Sequence, residues 1–176
     1  MAQVQTAHTA ELDPAALDAA HVLLADVFPD LTDHDWDHAL GGVHALVWED
    51  GELVGHASLV QRRVLHGGRA LRTGYLEGVG VRRDRRGCGY GAALLGALER
   101  IARAAYELGA LGSTDEAATF YAARGWQRWR GPTSSLTPDG IRPTQDENGG
   151  IFVLPLGTPL DLSGSLTCDW RDGDVW

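Results

Sequence analysis

Residues 79–91 read Val79-Gly80-Val81-Arg82-Arg83-Asp84-Arg85-Arg86-Gly87-Cys88-Gly89-Tyr90-Gly91 and continue directly into Ala92-Ala93-Leu94-Leu95. The apolar alternation at the start is typical of a strand, the middle is a glycine-rich turn with four arginines, and the apolar period at the end predicts a helix. Glycines let backbone N–H groups converge on one point, and a helix N-terminus adds its positive dipole end there. This arrangement predicts a site for a phosphate-rich ligand.

The spacing of the loop narrows the type of anion site. It is neither the G-x-G-x-x-G of a dinucleotide fold nor a P-loop, which needs a Lys-Ser/Thr pair after its last glycine. It is Arg86-x-x-Gly89-x-Gly91, which resembles the pyrophosphate loop of the GNAT acetyltransferases. The alternative is an ordinary arginine-bearing turn between a strand and a helix.

Length and composition indicate one soluble domain. The chain has 176 residues, 44% of them hydrophobic, no apolar run long enough to span a membrane and no secretory leader at its start. Its two cysteines, Cys88 and Cys168, have no disulfide-framework spacing. We therefore expect a single cytoplasmic domain, 1–176, without disulfides.

Charge argues against nucleic acid as the partner. The net charge is −9, and residues 131–176 hold seven acids against two arginines. Such a surface attracts cations and repels nucleic acid, although a solvated, solubilising surface is the commoner meaning of excess acids.

The pair His34 and His38 has helical i, i+4 spacing, but it lacks the neighbouring glutamate and third ligand of a zinc helix. No metal is expected.

The predicted elements give an α+β order. A strand over 4–9 precedes two helices, the first after Asp13-Pro14 with Leu17, Ala20, Leu24 and Phe28 on one face. The second, short helix is predicted from the capping box Thr32-x-x-Asp35. Three antiparallel strands follow, over 43–49, 52–64 and 70–81, and Asp50-Gly51 predicts a two-residue hairpin turn between the first two. Glu77-Gly78 interrupts the last strand, which suggests a bulge. After the loop we expect a helix, a parallel strand over 109–112, a helix capped by Ser113, and strands over 126–130, 151–156 and 166–170. Residues 131–150 are predicted to be a loop.

Three groups suit direct acyl transfer. Glu77, just before the loop, could remove a proton from an attacking amine, but a surface acid on an edge strand is equally consistent with the sequence. Tyr121 keeps its proton at neutral pH and could donate it to a departing thiolate, although an aromatic at helical spacing more often packs in a core. The backbone N–H of Val79 could polarise a thioester carbonyl.

A closer resemblance is to the aminoglycoside 2′-N-acetyltransferases within the GNAT superfamily. It rests on segments from the middle and both ends of the chain: Leu40-Gly41-Gly42-Val43-His44-Ala45-Leu46, Gln61-Arg62-Arg63, Gly74-Tyr75-Leu76-Glu77-Gly78-Val79, Arg124-Gly125-Trp126, Gly131-Pro132-Thr133-Ser134 and the final Cys168-Asp169-Trp170-Arg171-Asp172-Gly173-Asp174-Val175-Trp176. It implies the GNAT fold, a mixed central sheet with an antiparallel meander and splayed parallel strands flanked by helices.

The resemblance also implies residue roles. Glu77 is the implied base, acting through water, and Tyr121 the implied acid, in a direct transfer from acetyl-CoA that confers antibiotic resistance. The residues implied to hold acetyl-CoA are Val79, Gly80, Val81, Arg86, Gly87, Cys88, Gly89, Tyr90 and Gly91. Those implied to contact the aminoglycoside are Asp30, Asp35, Glu77, Gly78, Gly112, Asp146, Glu147, Asp174 and Trp176, the last through a terminal carboxylate.

Other readings of the same sequence keep the fold and change the function. The acceptor could be a cell-wall aminosugar or another amine, or the chain could be a non-catalytic acyl-CoA sensor. The family pattern departs at Gly112 and Glu147, where serine and aspartate are more usual. A homodimer is implied by the resemblance alone, and no membrane partner is expected from the lack of a long apolar run.

Overall fold

The computed structural model describes residues 3–176, and these divide into two compact units. The first contains residues 3–60 and Leu76–Ile101, and the second contains Gln61–Tyr75 and residues 102–176. The helices are α1 (Pro14–Val27), α2 (Asp33–His38), α3 (Tyr90–Ala105) and α4 (Asp115–Ala122). The strands are β1 (Gln3–His8), β2 (Val43–Glu49), β3 (Glu52–His66), β4 (Arg69–Val81), β5 (Leu108–Gly112), β6 (Gln127–Arg128), β7 (Thr133–Thr137), β8 (Gly140–Pro143), β9 (Ile151–Pro155) and β10 (Leu166–Cys168).

In the first unit, β2 pairs antiparallel with both β1 and the first half of β3. Asp50 and Gly51 join β2 to β3 with φ of 52° and 84°, which is the left-handed pair that a two-residue hairpin turn requires. The predicted hairpin is therefore confirmed. A buried apolar cluster from α1, β2 and β3 forms the core, and its members are Ala20, Leu23, Leu24, Leu46 and Leu53.

Helix α1 begins after Asp13, as predicted, but it ends at Val27, one residue before Phe28, the last residue of the predicted apolar face. The Asp13 carboxylate accepts from the Ala16 N–H at 2.7 Å and caps the helix before Pro14. Phe28 was expected in the core, but it is 37% exposed because the backbone there is already extended and turns the side chain off the helical face. Leu23 is buried instead.

The second unit holds the remaining strands, in the order β6-β9-β5-β4-β3-β10-β7-β8, where β3 and β4 contribute Gln61–His66 and Arg69–Tyr75. The pairing of β4 with β5 is parallel and joins Thr73–Tyr75 to Leu108–Ala110, as the intervening helix predicted. Most other neighbours are antiparallel, while β10 and β7 are parallel. The sheet is therefore mixed.

Two further predictions of local structure are wrong. The expected loop over 131–150 contains the antiparallel hairpin β7–β8, with Leu136 opposite Ile141 and Gly140 at φ 108° in the turn. Three prolines masked this hairpin, although Asp139-Gly140 is a turn signal. Helix α4 has Thr114, not Ser113, at its N-cap, because the Ser113 hydroxyl donates to the Thr114 carbonyl at 2.8 Å. Within residues 3–176, no helix is long and apolar enough to cross a membrane.

Candidate active site

The glycine loop lies between β4 and α3, as the sequence predicted. After Val81 a short 3-10 turn, Arg83–Arg85, leads into Gly87 and Gly89, whose φ angles are 78° and 83°. A Cβ at either glycine would meet no atom within 4 Å, so these residues are needed for their backbone conformation and leave open space beside the loop.

The first N–H groups of α3, at its N-terminus, have no hydrogen-bond partners within the helix. The Ala93 N–H makes an early helical hydrogen bond, to the Gly89 carbonyl at 3.0 Å, so the amides before it have no acceptor within the helix. These amides and the helix dipole attract an anion. The loop can therefore hold an anionic group.

The four arginines of the loop are not equivalent. Arg82 pairs with Asp84 and Glu52 at 2.7 Å, and Arg85 pairs with Glu49 and with Asp84. These two guanidiniums are therefore partly neutralised by carboxylates. The other two donate to backbone carbonyls: Arg83 to Asp26 at 3.3 Å, and exposed Arg86 to Val81 at 3.4 Å.

The remaining loop residues differ in exposure. Cys88 is exposed with a free thiol, while Tyr90 is half-buried and donates its hydroxyl to Glu49 at 2.9 Å. Gly91 is half-buried within the first turn of α3. Glu49 thus ties both Arg85 and Tyr90 to the β2–β3 hairpin, and their hydrogen bonds hold the pKa of this carboxyl below its usual range.

Immediately before the loop, β4 leaves regular strand geometry at Gly78. Its φ is 53°, a left-handed conformation, so the interruption predicted at Glu77-Gly78 is present. Glu77 and Val79 are half-buried, and Gly80 is buried against Leu24. The Ser58 hydroxyl lies 3.5 Å from the Glu77 carbonyl.

A buried histidine pair, which no sequence motif indicates, supports this part of β4. His56 Nδ1 lies 2.8 Å from the Gly78 carbonyl oxygen, and His56 Nε2 lies 2.9 Å from His44 Nδ1. Both side chains are fully buried. The available signal was a histidine within the largely apolar segment Leu53–Val60 of β3.

The two acids predicted from the helical region have different settings. Asp30 is exposed in the loop before α2. Asp35 caps that helix, since its Oδ2 accepts from both the N–H and the hydroxyl of Thr32 at 2.8 Å. One carboxylate oxygen of Asp35 is therefore already used in holding the helix.

In the second unit, Tyr121 is buried on α4. Its ring packs against those of Phe120, Trp126 and Phe152, with centroids 5.4 to 6.3 Å apart. Burial raises the pKa of Tyr121 to about 12, so the phenol stays protonated at neutral pH. Tyr121 therefore packs in the core, which was the alternative role considered from the sequence, and it also keeps a protonated hydroxyl.

Three predicted acids come together in the second unit. Asp146 and Glu147 lie in the 3-10 turn after β8, and burial together with the charges of Asp174 and Asp146 raises the pKa of the Glu147 carboxyl. This acidic cluster, Asp146, Glu147 and Asp174, concentrates negative charge on a half-buried residue. A cation binding there would relieve the repulsion.

The final residues are packed into the fold. Trp176 is 5% exposed, its Nε1–H donates to Thr144 Oγ1 at 2.9 Å, and its backbone N–H donates to Asp174 Oδ1 at 3.1 Å. Its backbone oxygen accepts from Arg171 at 2.8 Å. The tail is further held by buried Arg62, which donates to Asp169 and to the Val175 carbonyl.

Gly112, at the end of β5, is exposed, and a Cβ there would lie 3.5 Å from the Tyr75 hydroxyl, an ordinary contact distance. A serine at this position, as the resemblance favours, would fit. Among residues 3–176, no group of three histidine, cysteine, aspartate or glutamate side chains could hold a metal ion.

The predicted site residues thus fall into two local groups. The first unit contains Asp30, Asp35, Glu77, Gly78, Val79, Gly80, Val81 and Arg86–Gly91, and the second contains Gly112, Tyr121, Asp146, Glu147, Asp174 and Trp176. In the first unit, the glycine loop directly follows the distorted end of β4. Within the second, the acidic cluster adjoins the tail.

Strand, glycine loop and helix of this kind place the chain in a known class. Residues 11–126 match the acetyltransferase (GNAT) family, and the chain belongs to it. Over 174 residues it is 48% identical to the aminoglycoside 2′-N-acetyltransferase of Mycolicibacterium fortuitum, a match that covers 96% of this chain and 89% of that protein.

Solved structures agree on the fold. An Escherichia coli GNAT family N-acetyltransferase, YhbS, in complex with CoA is 16% identical and has a TM-score of 0.64, with 95% of this chain and 89% of that chain covered. Escherichia coli ElaA is 21% identical with a TM-score of 0.62, covering 88% of this chain and 99% of that chain. The predicted α+β GNAT fold is confirmed.

Proposed function

We propose that this protein transfers the acetyl group of acetyl-CoA to the 2′-amino group of aminoglycosides, by direct attack in a ternary complex. The observation that carries the acceptor is the 48% identity, over 96% of the chain, to a relative named for that activity. The acidic cluster supports it, because an aminoglycoside is a polycation and burial together with the charges of Asp174 and Asp146 raises the pKa of Glu147.

The donor site is assigned to the loop and the strand before it. Positive-φ glycines, open space beside them and the N-terminus of α3 suit the pyrophosphate, with exposed Arg86 beside it. Backbone groups of Val79, Gly80 and Val81 would hold the pantetheine arm. Acetyl-CoA supplies the acetyl group as a thioester.

The chemical roles are assigned to three groups. Glu77 takes a proton from the 2′-ammonium, directly or through water, so that the amine can attack the thioester carbon. The Val79 N–H donates to the carbonyl oxygen while negative charge develops there. The C–N bond forms as the C–S bond breaks, the new amide nitrogen releases its surplus proton to solvent, and Tyr121 gives its proton to the departing sulfur. Solvent then returns a proton to Tyr121 and removes one from Glu77.

The acceptor is tested by a screen that follows release of the CoA thiol. Acetyl-CoA is mixed with tobramycin, gentamicin, glucosamine or kanamycin A, which carries a hydroxyl in place of the 2′-amine. We expect turnover with tobramycin and gentamicin and little with kanamycin A, and mass spectrometry of the product should place the acetyl group at the 2′-nitrogen. Equal turnover of kanamycin A and tobramycin would exclude the 2′ assignment.

Two further outcomes separate the alternatives. Turnover of glucosamine but no aminoglycoside would favour a cell-wall acceptor, and tight CoA binding without any turnover would favour a sensor.

We further infer a cytoplasmic homodimer that confers resistance. Light scattering should give twice the chain mass, and expression in a susceptible host should raise the inhibitory concentration of tobramycin but not of kanamycin A.

A further inference from the structure

A chain of hydrogen bonds crosses the interior of the first unit and ends on the distorted part of β4. Gly41 N–H donates to Thr9 Oγ1 at 2.9 Å, and Thr9 Oγ1 lies 2.8 Å from His44 Nε2. The chain continues from His44 to His56 and from His56 to the Gly78 carbonyl, at 2.9 and 2.8 Å. We call Thr9, His44 and His56 the histidine relay.

The donor and the acceptor of each hydrogen bond in the relay can be assigned by starting from the Gly78 carbonyl. A carbonyl oxygen only accepts, so His56 Nδ1 must carry the proton that bonds Gly78. In a neutral ring Nε2 then accepts, which makes His44 Nδ1 the donor and His44 Nε2 the acceptor of the Thr9 hydroxyl. Every donor in the relay therefore has an acceptor, and each bond polarises the next.

The last bond of the relay sets the orientation of one peptide unit. The Gly78 carbonyl and the Val79 N–H belong to the same peptide, which is trans, as are the other peptide bonds of residues 3–176. In a planar trans peptide the C=O and N–H point in opposite directions. Because His56 holds the carbonyl on its own side, the Val79 N–H points away from the histidine.

We propose that His56, held in one tautomer by His44 and Thr9, is a positioning residue that aims the Val79 N–H at the thioester carbonyl. This inference rests on the proposed acetyl transfer, in which Val79 supplies the donor for the developing negative charge. A peptide that rotates freely would lose that alignment, and a donor of this type is useful only when it is held before the reaction.

Two features of the surroundings support a positioning role. Gly78 has φ 53°, a conformation that L side chains rarely adopt, so the peptide that follows it leaves regular strand geometry and its carbonyl is held by His56. A Cβ there would also lie 2.9 Å from Leu24 Cδ1 and 3.4 Å from the His56 ring, which shows how closely the bulge is enclosed. Burial lowers the pKa of both His44 and His56 to about 4, so the relay is uncharged at neutral pH.

The direct test is infrared spectroscopy of acetyl-CoA labelled with ¹³C at its carbonyl, bound to the protein without any acceptor. In the wild type we expect the carbonyl band at lower wavenumber than in solution. His56→Leu should return the band towards the solution position and lower kcat about 10- to 100-fold, with less than a threefold change in the Kd of CoA. A wild-type band at the solution position would overturn the proposal.

Variants separate positioning from general stability. His56→Asn keeps an N–H donor near the Nδ1 position and should restore much of the band shift and of kcat. Thr73→Val is the control, because Thr73 is an equally buried polar residue of β4 that bonds Leu71 instead. An unchanged band and kcat in His56→Leu, or an equal loss in Thr73→Val, would contradict the proposal.

A measurement on the unaltered protein avoids any dependence on the folding of variants. Nitrogen NMR of ¹⁵N-histidine-labelled protein at pH 7 should show His56 protonated at Nδ1 and bare at Nε2. The opposite tautomer would overturn the proposal. Because neither spectroscopic test contains an acceptor, a shifted band in a protein that acetylates no aminoglycoside would sustain this inference while refuting the proposed acceptor.

Discussion

Arg62 Nε lies 2.7 Å from Asp169 Oδ1, although 107 residues separate the two in the chain. The same guanidinium donates to the backbone oxygens of Asp169 and Val175, and its planar group lies 4.8 Å from the centre of the Tyr75 ring. Arg62 is only 4% exposed. One buried cation thus holds both ends of the segment that follows β10.

Replacing that cation should loosen the tail. We expect Arg62→Met to lower the free energy of unfolding by about 2–4 kcal/mol, since it leaves the Asp169 and Val175 acceptors without their buried donor. Urea unfolding measures this loss, and limited proteolysis should cut residues 169–176 earlier. Arg69→Met is the matched control, because Arg69 is 59% exposed in its pair with Glu107 and should cost less than about 1 kcal/mol. Equal losses in both variants would contradict this.

Glu77→Gln should lower kcat by about 10²–10⁴ if Glu77 is the base, because the amide cannot accept the proton of the ammonium group. Stopped assays with tobramycin at several pH values measure the loss, and the acidic limb of the wild-type rate profile should disappear. Glu116→Gln, an exposed acid of α4, should retain full activity. A small rate loss with an unchanged pH profile would remove Glu77 from this role.

Tyr121→Phe should lower kcat by about 10²–10⁴ and leave the fold intact. The phenyl ring preserves the contacts with Trp126 and Phe152, so the melting temperature should move little while the proton donor is lost. Since burial raises the pKa of Tyr121 to about 12, wild-type activity should show no alkaline decline from this group below about pH 11. Full activity in Tyr121→Phe would leave the residue with packing alone.

Glu147→Gln should weaken aminoglycoside binding on the order of tenfold, which corresponds to one charge interaction at a solvent-accessible site. The raised pKa of Glu147 means that its carboxylate opposes folding at neutral pH, an effect that is absent in acid and develops as pH rises through that pKa. The variant should therefore be at least as stable as the wild type at pH 7. Fluorescence titration with tobramycin measures affinity, and Asp139→Asn, at the β7–β8 turn, should bind normally.

Acid should destabilise the protein through the histidine relay. His44 and His56 have pKa values of about 4 in the fold against about 6.5 unfolded, so the unfolded chain binds more protons and stability falls as pH drops from about 6.5 to about 4. For either histidine alone, this pKa shift corresponds to a loss of about 3 kcal/mol in the free energy of unfolding. Urea unfolding at pH 7, 5.5 and 4.5 should show this slope, reduced in His44→Gln and kept in exposed His34→Gln. Equal slopes in all three proteins would refute it.

Local structure was largely predictable because its signals are local. The Asp13 cap, the Thr32–Asp35 capping box, the Asp50-Gly51 turn and the Gly78 interruption all depend on a few adjacent residues, and each is present in the structure. The β7–β8 hairpin was missed because proline content outweighed its short turn signal. Phe28 was misplaced because the periodicity does not reveal where the chain leaves the helix.

The sequence by itself determined the family, the position of the glycine loop and the candidate acids, because a glycine spacing and a residue type are properties of the chain. Only the tertiary structure decided which charges are compensated and which polar groups are buried. It paired Arg82 and Arg85 with carboxylates of the β2–β3 hairpin, gathered Glu147 with Asp174, and connected His56 to Gly78. The physical reason is that charge compensation and burial depend on distance in space, and residues that are neighbours there are 22 to 107 positions apart in the chain.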